Sequence, residues 1–132
     1  MKMNSVVHFE MPAEDKQRVA DFYTKAFGWK MLITGPEMDN YVVATTTEVD
    51  EKTHRPKSPG AINGGFFTKS ADHAHPSVVI AVDDVKEAMK NVEAAGGKVL
   101  GEPVDIPTVG LYVSFTDTEG NLVSLLQPSS SM

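Results

Sequence analysis

The order of the secondary-structure patterns along this chain constrains its fold more than any single motif does. Two segments have the apolar spacing of amphipathic helices, and the other apolar runs are short and typical of β-strands. One such run precedes each helix and three follow it, so that the order βαβββ occurs twice, with a shift of roughly 60 to 70 residues. We therefore predict an α+β fold built from two βαβββ modules.

Both helices have recognisable ends in the sequence. The first lies in PAEDKQRVADFYTKAFGW, where Pro12 suits the first turn and Gly28 suits a left-handed cap at the carboxyl end. The second lies in DDVKEAMKNVEAAGG, where Asp84 and Glu87 match a capping box and Gly96 ends the pattern. We predict one compact domain, with a first module at residues 1–69, a linker at 70–76 and a second module at 77–132.

Composition excludes several classes of partner and chemistry. Twelve basic residues against eighteen acidic ones give a net charge of −6, and without a basic cluster the chain is not expected to bind nucleic acid. The absence of cysteine excludes disulfides, thiolate nucleophiles and cysteine-based zinc sites. No apolar stretch suits a signal peptide or a membrane span. We therefore expect a soluble, cytoplasmic protein without a membrane partner.

The stretch VVHFEMP contains a histidine and a carboxylate on the same side of a predicted strand. Alternation places Phe9 and Met11 on the face that packs against the helix, and His8 and Glu10 on the opposite face. His8 is then a histidine hydrogen-bonded to a neighbour such as Glu10 or Ser124, or a ligand-binding or acid–base group. Glu10 is either a base or a solvated side chain at the end of a strand.

Three segments, HFEMPAEDKQRVADFYTKAFGWK, VVIAVDDVKEAMKNVEAAGGKV and FTDTEGNLVSLLQ, resemble the vicinal oxygen chelate superfamily. This group includes glyoxalase I, extradiol dioxygenases, and fosfomycin and bleomycin resistance proteins, and the glyoxalase/bleomycin-resistance branch is the most similar. The resemblance implies two curved mixed sheets that form an open, barrel-like cup with the helices outside. It also implies a small-molecule ligand in the cup between the modules, and a homodimer.

Metal-using members of that superfamily hold their ion with histidines and glutamates on the first and last strands of each module. By that resemblance His8 keeps one ligand position, while Ser77, Ser124 and Gly64 stand where the other ligands would be. Three well-placed donors are normally needed, so we predict no resident cofactor. A divalent metal held by a non-standard set of His8, Glu10 and either His73 or His75 is the alternative.

Other residues are candidates for the lining of the predicted cup. The aromatic candidates could equally be core residues, and the glycine could simply serve sheet curvature. Together with Ser77 and Ser124, the predicted ligand-binding residues are Trp29, Tyr41, Asn63, Gly64, Phe66 and Tyr112.

Three functions are compatible with these patterns. The leading hypothesis is a glyoxalase/bleomycin-resistance-like protein that binds a small organic molecule without the usual metal, by sequestration or by acid–base chemistry through His8 and Glu10. The first alternative is a metal-dependent lyase or dioxygenase acting on a substrate with vicinal oxygens. The second is a non-catalytic dimeric interaction module.

Overall fold

The computed structural model describes residues 2–129 and contains two βαβββ modules, as predicted. The first consists of β1 (Val6–Ala13), α1 (Lys16–Phe27), β2 (Lys30–Ile33), β3 (Val42–Thr45) and β4 (Asn63–Thr68). The second consists of β5 (Ser77–Ala81), α2 (Val85–Ala94), β6 (Lys98–Ile106), β7 (Gly110–Thr116) and β8 (Leu122–Pro128). The predicted α+β class is confirmed, because strands and helices alternate in the same order twice.

The two modules share one strand topology. In the first, the strand order is β2-β3-β4-β1, and β1 runs parallel to β4 while the other neighbours are antiparallel. In the second, the order is β6-β7-β8-β5, and β5 runs parallel to β8. The helix of each module follows its first strand, as a crossover between parallel strands requires.

The compact units of the chain are divided differently from the predicted modules. Residues 8–76 form one unit, which therefore includes the predicted linker at 70–76. Residues 77–129 form the other unit together with the segment before His8, where the carbonyl of Ser5 accepts a hydrogen bond from Ala81 N at 3.0 Å. Residues 130–132 of the predicted second module lie outside the described residues.

Helix α1 begins later than the sequence suggested. Pro12 lies in β1 rather than in the first helical turn, because its fixed φ also suits an extended strand. The side chain of Asp15 instead caps the helix by accepting a hydrogen bond from Arg18 N at 2.9 Å. Gly28 ends the helix in the left-handed region, with φ of 74°, as predicted.

Helix α2 has the predicted amino-terminal cap. The carboxylate of Asp84 accepts hydrogen bonds from Lys86 N and Glu87 N at 3.0 and 3.1 Å. The helix ends at Ala94, and Gly96 then turns the chain with φ of 103°. Within residues 2–129, neither helix has the length and apolar composition needed to cross a lipid bilayer.

Each module has its own apolar core between its helix and its sheet. In the first module Ala13, Val42, Ala44 and Phe66 are buried, with Tyr23 of α1 packed against them. In the second, the buried residues are Val82, Val85, Val113, Phe115 and Leu125, and three residues of α2 pack on them, Ala88, Met89 and Val92. The opposite face of each sheet is thus left for other side chains.

Candidate functional site

The candidate site lies on the face of the first module's sheet that is turned away from α1. Phe9 and Met11 pack into the core beneath the helix, and the alternation of β1 directs His8 and Glu10 to the other face, as predicted. Glu10 is only 8% exposed, so its interpretation as a solvated residue at a strand end is wrong. A carboxylate buried to this degree needs hydrogen-bond donors.

Tyr41 supplies one such donor. Its hydroxyl donates to Oε2 of Glu10 at 3.1 Å, although Tyr41 immediately precedes β3 and Glu10 lies two strands away on β1. Between them lies Gly65 on β4, which pairs with Glu10 on one side and with Val43 on the other. The tyrosine ring therefore crosses the β4 backbone at the glycine.

His8 shares this face and has a different character. Its ring is partly buried, and the loss of hydration of the charged form lowers the pKa of His8 below its ordinary value of 6.5. The imidazole is therefore neutral at pH 7 and can donate or accept a hydrogen bond. The predicted hydrogen bond between His8 and Glu10 stays a prediction.

Asn63 and Gly64 have local structural roles. The side-chain oxygen of Asn63 accepts hydrogen bonds from Thr46 N at 2.7 Å and Thr47 N at 3.0 Å, which fixes the chain after β3. A Cβ at Gly64 would collide with the carbonyl oxygen and ring of Phe9, so this glycine allows close packing on the helix side of the sheet. These contacts do not require a ligand at either residue.

The second module has hydroxyl groups at the matching positions. Ser124 is 1% exposed, and its Oγ is hydrogen-bonded to the hydroxyls of Tyr112 at 2.7 Å and Ser114 at 3.0 Å. Ser77 begins β5 and is also buried. Ser114 was missed from the sequence, although it lies two residues after Tyr112 and alternation puts both on one face.

Strand register corrects one predicted correspondence between the modules. Ser124 pairs with Val79 on β5, two residues after Ser77, just as Gly65 pairs with Glu10, two residues after His8. The first-module counterpart of Ser124 is therefore Gly65 rather than Gly64. By the same register Tyr41 and Tyr112 are counterparts. Tyr41 lies two residues before Val43, which pairs with Gly65. Tyr112 lies two residues before Ser114, which pairs with Ser124.

Two predicted ligand-binding aromatics belong to the core instead. Phe66 is 1% exposed and lies on the helix side of the sheet. Trp29 stacks on Tyr23 of α1, with ring centroids 4.6 Å apart, and contacts Phe9 at 5.7 Å. Packing against the helix removes both side chains from the face that carries Glu10.

The side chains do not fit the metal site expected from the resemblance. Within residues 2–129, no three histidine, aspartate or glutamate side chains come close enough together to hold an ion. The alternative set of His8, Glu10 and either His73 or His75 is therefore not formed. His73 instead packs edge-on against Phe67 at 5.6 Å, and His75 is exposed. A divalent ion normally takes at least three protein donors.

The family of the chain follows from its fold and from a match to a family model. Residues 5–125 match the model of the Glyoxalase/Bleomycin resistance protein/Dioxygenase superfamily, and the chain belongs to that superfamily.

Similar proteins include anthracycline biosynthesis protein DnrV of Streptomyces peucetius, 30% identical over 85% of this chain and 42% of the relative. The chain thus spans less than half the length of that relative. A glyoxylase-like domain-containing protein of Didymella fabae is 32% identical over 85% of this chain and 84% of its own length. A probable lactoylglutathione lyase of Vibrio cholerae is 25% identical over 96% of this chain and 93% of its own length.

Solved structures have the same fold at low sequence identity. A Streptomyces coelicolor methylmalonyl-CoA epimerase in complex with 2-nitronate-propionyl-CoA matches with a TM-score of 0.69 and 13% identity, over 98% of this chain and all of that chain. A hypothetical protein from Bacillus halodurans matches with a TM-score of 0.67 and 14% identity, over 98% of this chain and 97% of that chain. At such identity the likeness concerns the fold alone.

Proposed function

We propose that this protein binds a small organic molecule on the sheet face of the first module that carries His8, Glu10 and Tyr41. We further propose that Glu10 accepts a hydrogen bond or a proton from that molecule. The observation that carries the proposal is the buried carboxylate of Glu10, held by the Tyr41 hydroxyl at 3.1 Å. A buried, oriented carboxylate is suited to act as a hydrogen-bond acceptor or general base.

The chemistry of the neighbouring side chain supports this proposal. Because burial lowers the pKa of His8, its uncharged imidazole adds a second polar group without adding positive charge. The strand face therefore offers an acceptor at Glu10 and a neutral donor or acceptor at His8. A ligand with a hydroxyl, an amine or an acidic C–H group suits this combination better than an anionic group directed at Glu10.

The proposal assigns no step to a divalent metal, because the donor set does not fit one. In the first module a single imidazole and a single carboxylate leave the ion short of a protein ligand, and glycine stands at residue 65. Small-molecule binding nevertheless agrees with family membership. We also propose that the protein forms a homodimer, which light scattering coupled to size-exclusion chromatography would test.

The test measures ligand-dependent melting of the purified protein together with its metal content. The probes are an anthracycline and S-lactoylglutathione, chosen from the names of two relatives. A probe at about 100 times its dissociation constant would stabilise the fold by about 2.7 kcal/mol, which raises the melting temperature by roughly 10 °C. We expect that rise with the parent protein and its loss in Glu10→Gln.

A matched variant makes the test specific for Glu10. Glu51→Gln makes the same chemical change at an exposed loop residue and should keep the response of the parent protein. A full response in Glu10→Gln would overturn the proposal. Stoichiometric bound metal whose removal abolishes the response would replace it with the metal-dependent lyase or dioxygenase. No response to either probe, in protein without bound metal, would favour an interaction module.

A further inference from the structure

Three residues on neighbouring strands form one row across the first module's sheet. Glu10 on β1 pairs with Gly65 on β4, and Gly65 pairs with Val43 on β3. Tyr41 lies two residues before Val43 and therefore emerges on the same face as Glu10. Its hydroxyl reaches Oε2 of Glu10 by passing over the middle strand of the row.

We propose that Tyr41 is a positioning residue for Glu10, and that the absence of a side chain at Gly65 is what allows it to be one. The inference rests on the proposed function only for its effect on ligand binding. The placement of the Tyr41 ring over Gly65 is independent of any ligand.

The need for glycine at position 65 comes from the tyrosine ring and not from the backbone. The three atoms nearest to a Cβ built on Gly65 all belong to Tyr41, namely Oη, Cζ and Cε1, and the Cβ would collide with each of them. Gly65 is not among the residues with positive φ, so its backbone is one that alanine adopts readily. The ring of Tyr41 is therefore the nearest obstacle to alanine at this position.

The second module shows the outcome when this position has a side chain. Its counterpart of Gly65 is Ser124, and the counterpart of Tyr41 is Tyr112. Tyr112 donates to or accepts from the Ser124 hydroxyl itself, at 2.7 Å. In the first module, the ring of Tyr41 lies directly over Gly65 on β4, and its hydroxyl reaches the carboxylate of Glu10 on β1.

The first experiment measures the equilibrium constant for folding by urea denaturation in four variants of the full chain. Gly65→Ala should lower that constant by roughly tenfold or more, since overpacking at this site forces the ring away from Glu10. In a Tyr41→Ser background, Gly65→Ala should lower it less than roughly threefold, because the colliding ring is gone. If Gly65→Ala alone does not fold, folding of the double variant with Tyr41→Ser and Gly65→Ala would still show that the tyrosine ring is the obstacle.

Gly64→Ala is the matched control. Its Cβ would collide with Phe9 on the other face of the sheet, so Tyr41→Ser should not rescue it. Equal losses for Gly65→Ala in both backgrounds would overturn the proposed dependence on Tyr41.

The second experiment distinguishes positioning from packing. In protein labelled with ¹³C at the glutamate carboxyl carbons, the Glu10 signal is identified by its absence in Glu10→Gln. We expect Tyr41→Phe, which keeps the ring and removes the hydroxyl, to shift that signal at pH 7.5. Tyr23→Phe, in the aromatic core beneath α1, should leave it in place. An unchanged Glu10 signal in Tyr41→Phe would overturn the proposal.

Failure of the proposed function gives a different pattern. If Glu10→Gln keeps the response to the probes but Tyr41→Phe shifts the Glu10 signal, the ligand proposal falls and the positioning of Glu10 stands. If Glu10→Gln loses the response, and Tyr41→Phe keeps that of the parent protein without shifting the Glu10 signal, the positioning role falls instead.

Discussion

The two modules carry a tyrosine at equivalent positions, and these tyrosines differ in the group that they hold. Tyr41 crosses a glycine and donates to the carboxylate of Glu10, whereas Tyr112 bonds to the hydroxyl of Ser124. The strand topology is the same in both modules. The difference therefore comes from the side chains placed on the shared framework. One module keeps ionisable groups at these positions, and the other has a cluster of hydroxyls.

This contrast has a consequence for chemistry. Carboxylate and imidazole side chains are bases that can accept a proton from a ligand, whereas neutral serine and tyrosine hydroxyls serve as hydrogen-bond donors and acceptors. His8 and Glu10 in the first module have Ser77 and Val79 as their counterparts in the second. Any acid–base reaction on these strand faces is therefore expected in the first module, and the second module's hydroxyls are expected to act as hydrogen-bonding groups.

The largest expected effect tests whether the two cores are equivalent. Phe66 and Leu125 directly follow Gly65 and Ser124 and are both almost fully buried on the helix side. Phe66→Ala should lower the free energy of unfolding by about 3–5 kcal/mol and Leu125→Ala by about 2–5 kcal/mol, because each leaves a cavity. Urea denaturation measures both. A loss below about 1 kcal/mol at either residue would contradict the placement of that side chain in a packed core.

A smaller effect is expected from the hydroxyl cluster of the second module. Ser124→Ala removes the group that bonds to both Tyr112 and Ser114. The loss should be about 1–3 kcal/mol in the free energy of unfolding, as expected when a buried hydrogen-bond partner is removed. Thermal and urea unfolding would measure it. Ser58→Ala makes the same change at an exposed loop residue of the first module and serves as the control. An unchanged stability in Ser124→Ala would show that the cluster is not structural.

The smallest effect concerns pH. The folded-state pKa of His8 is lowered by burial, so the unfolded chain binds this proton first as the pH falls below about 6.5. The stability linked to His8 is therefore present above that pH and lost on acidification. His8→Gln should lose less stability than the parent between about pH 7.5 and 5, whereas Ser77→Ala at the equivalent position should lose as much as the parent. Identical pH profiles for His8→Gln and the parent would contradict the burial of the imidazole.

Local patterns were sufficient to predict the fold. Helix periodicity, the capping residue Asp84 and the glycine at residue 28 all act over a few neighbouring positions, and the repeat made the second module an independent check on the first. Alternation along β1 also put His8 and Glu10 on the correct face. The predicted start of α1 was wrong, because Pro12 suits both a strand and a first helical turn and lies in β1.

The details of the site depend on pairing between strands far apart in sequence. Gly64 was preferred over Gly65 as the counterpart of Ser124, and one residue of register turns a side chain to the opposite face. The unknown register of β4 also made Phe66 a ligand-binding candidate, whereas its pairing with Met11 places it on the helix side of the sheet. The equivalence of Tyr41 and Tyr112 could not be seen either, since loops of different length separate each tyrosine from its neighbouring strands. The roles of His8, Glu10, Tyr41 and Tyr112 in ligand binding stay predictions.

The glycine at residue 65 also has a genetic consequence. Glycine codons of the type GGY and serine codons of the type AGY differ by a single base. If residue 65 is encoded by a GGY codon, one nucleotide substitution would replace the first module's residue with that of the second. The serine side chain would meet the ring of Tyr41, so this one change would disturb the hydrogen bond between Tyr41 and Glu10.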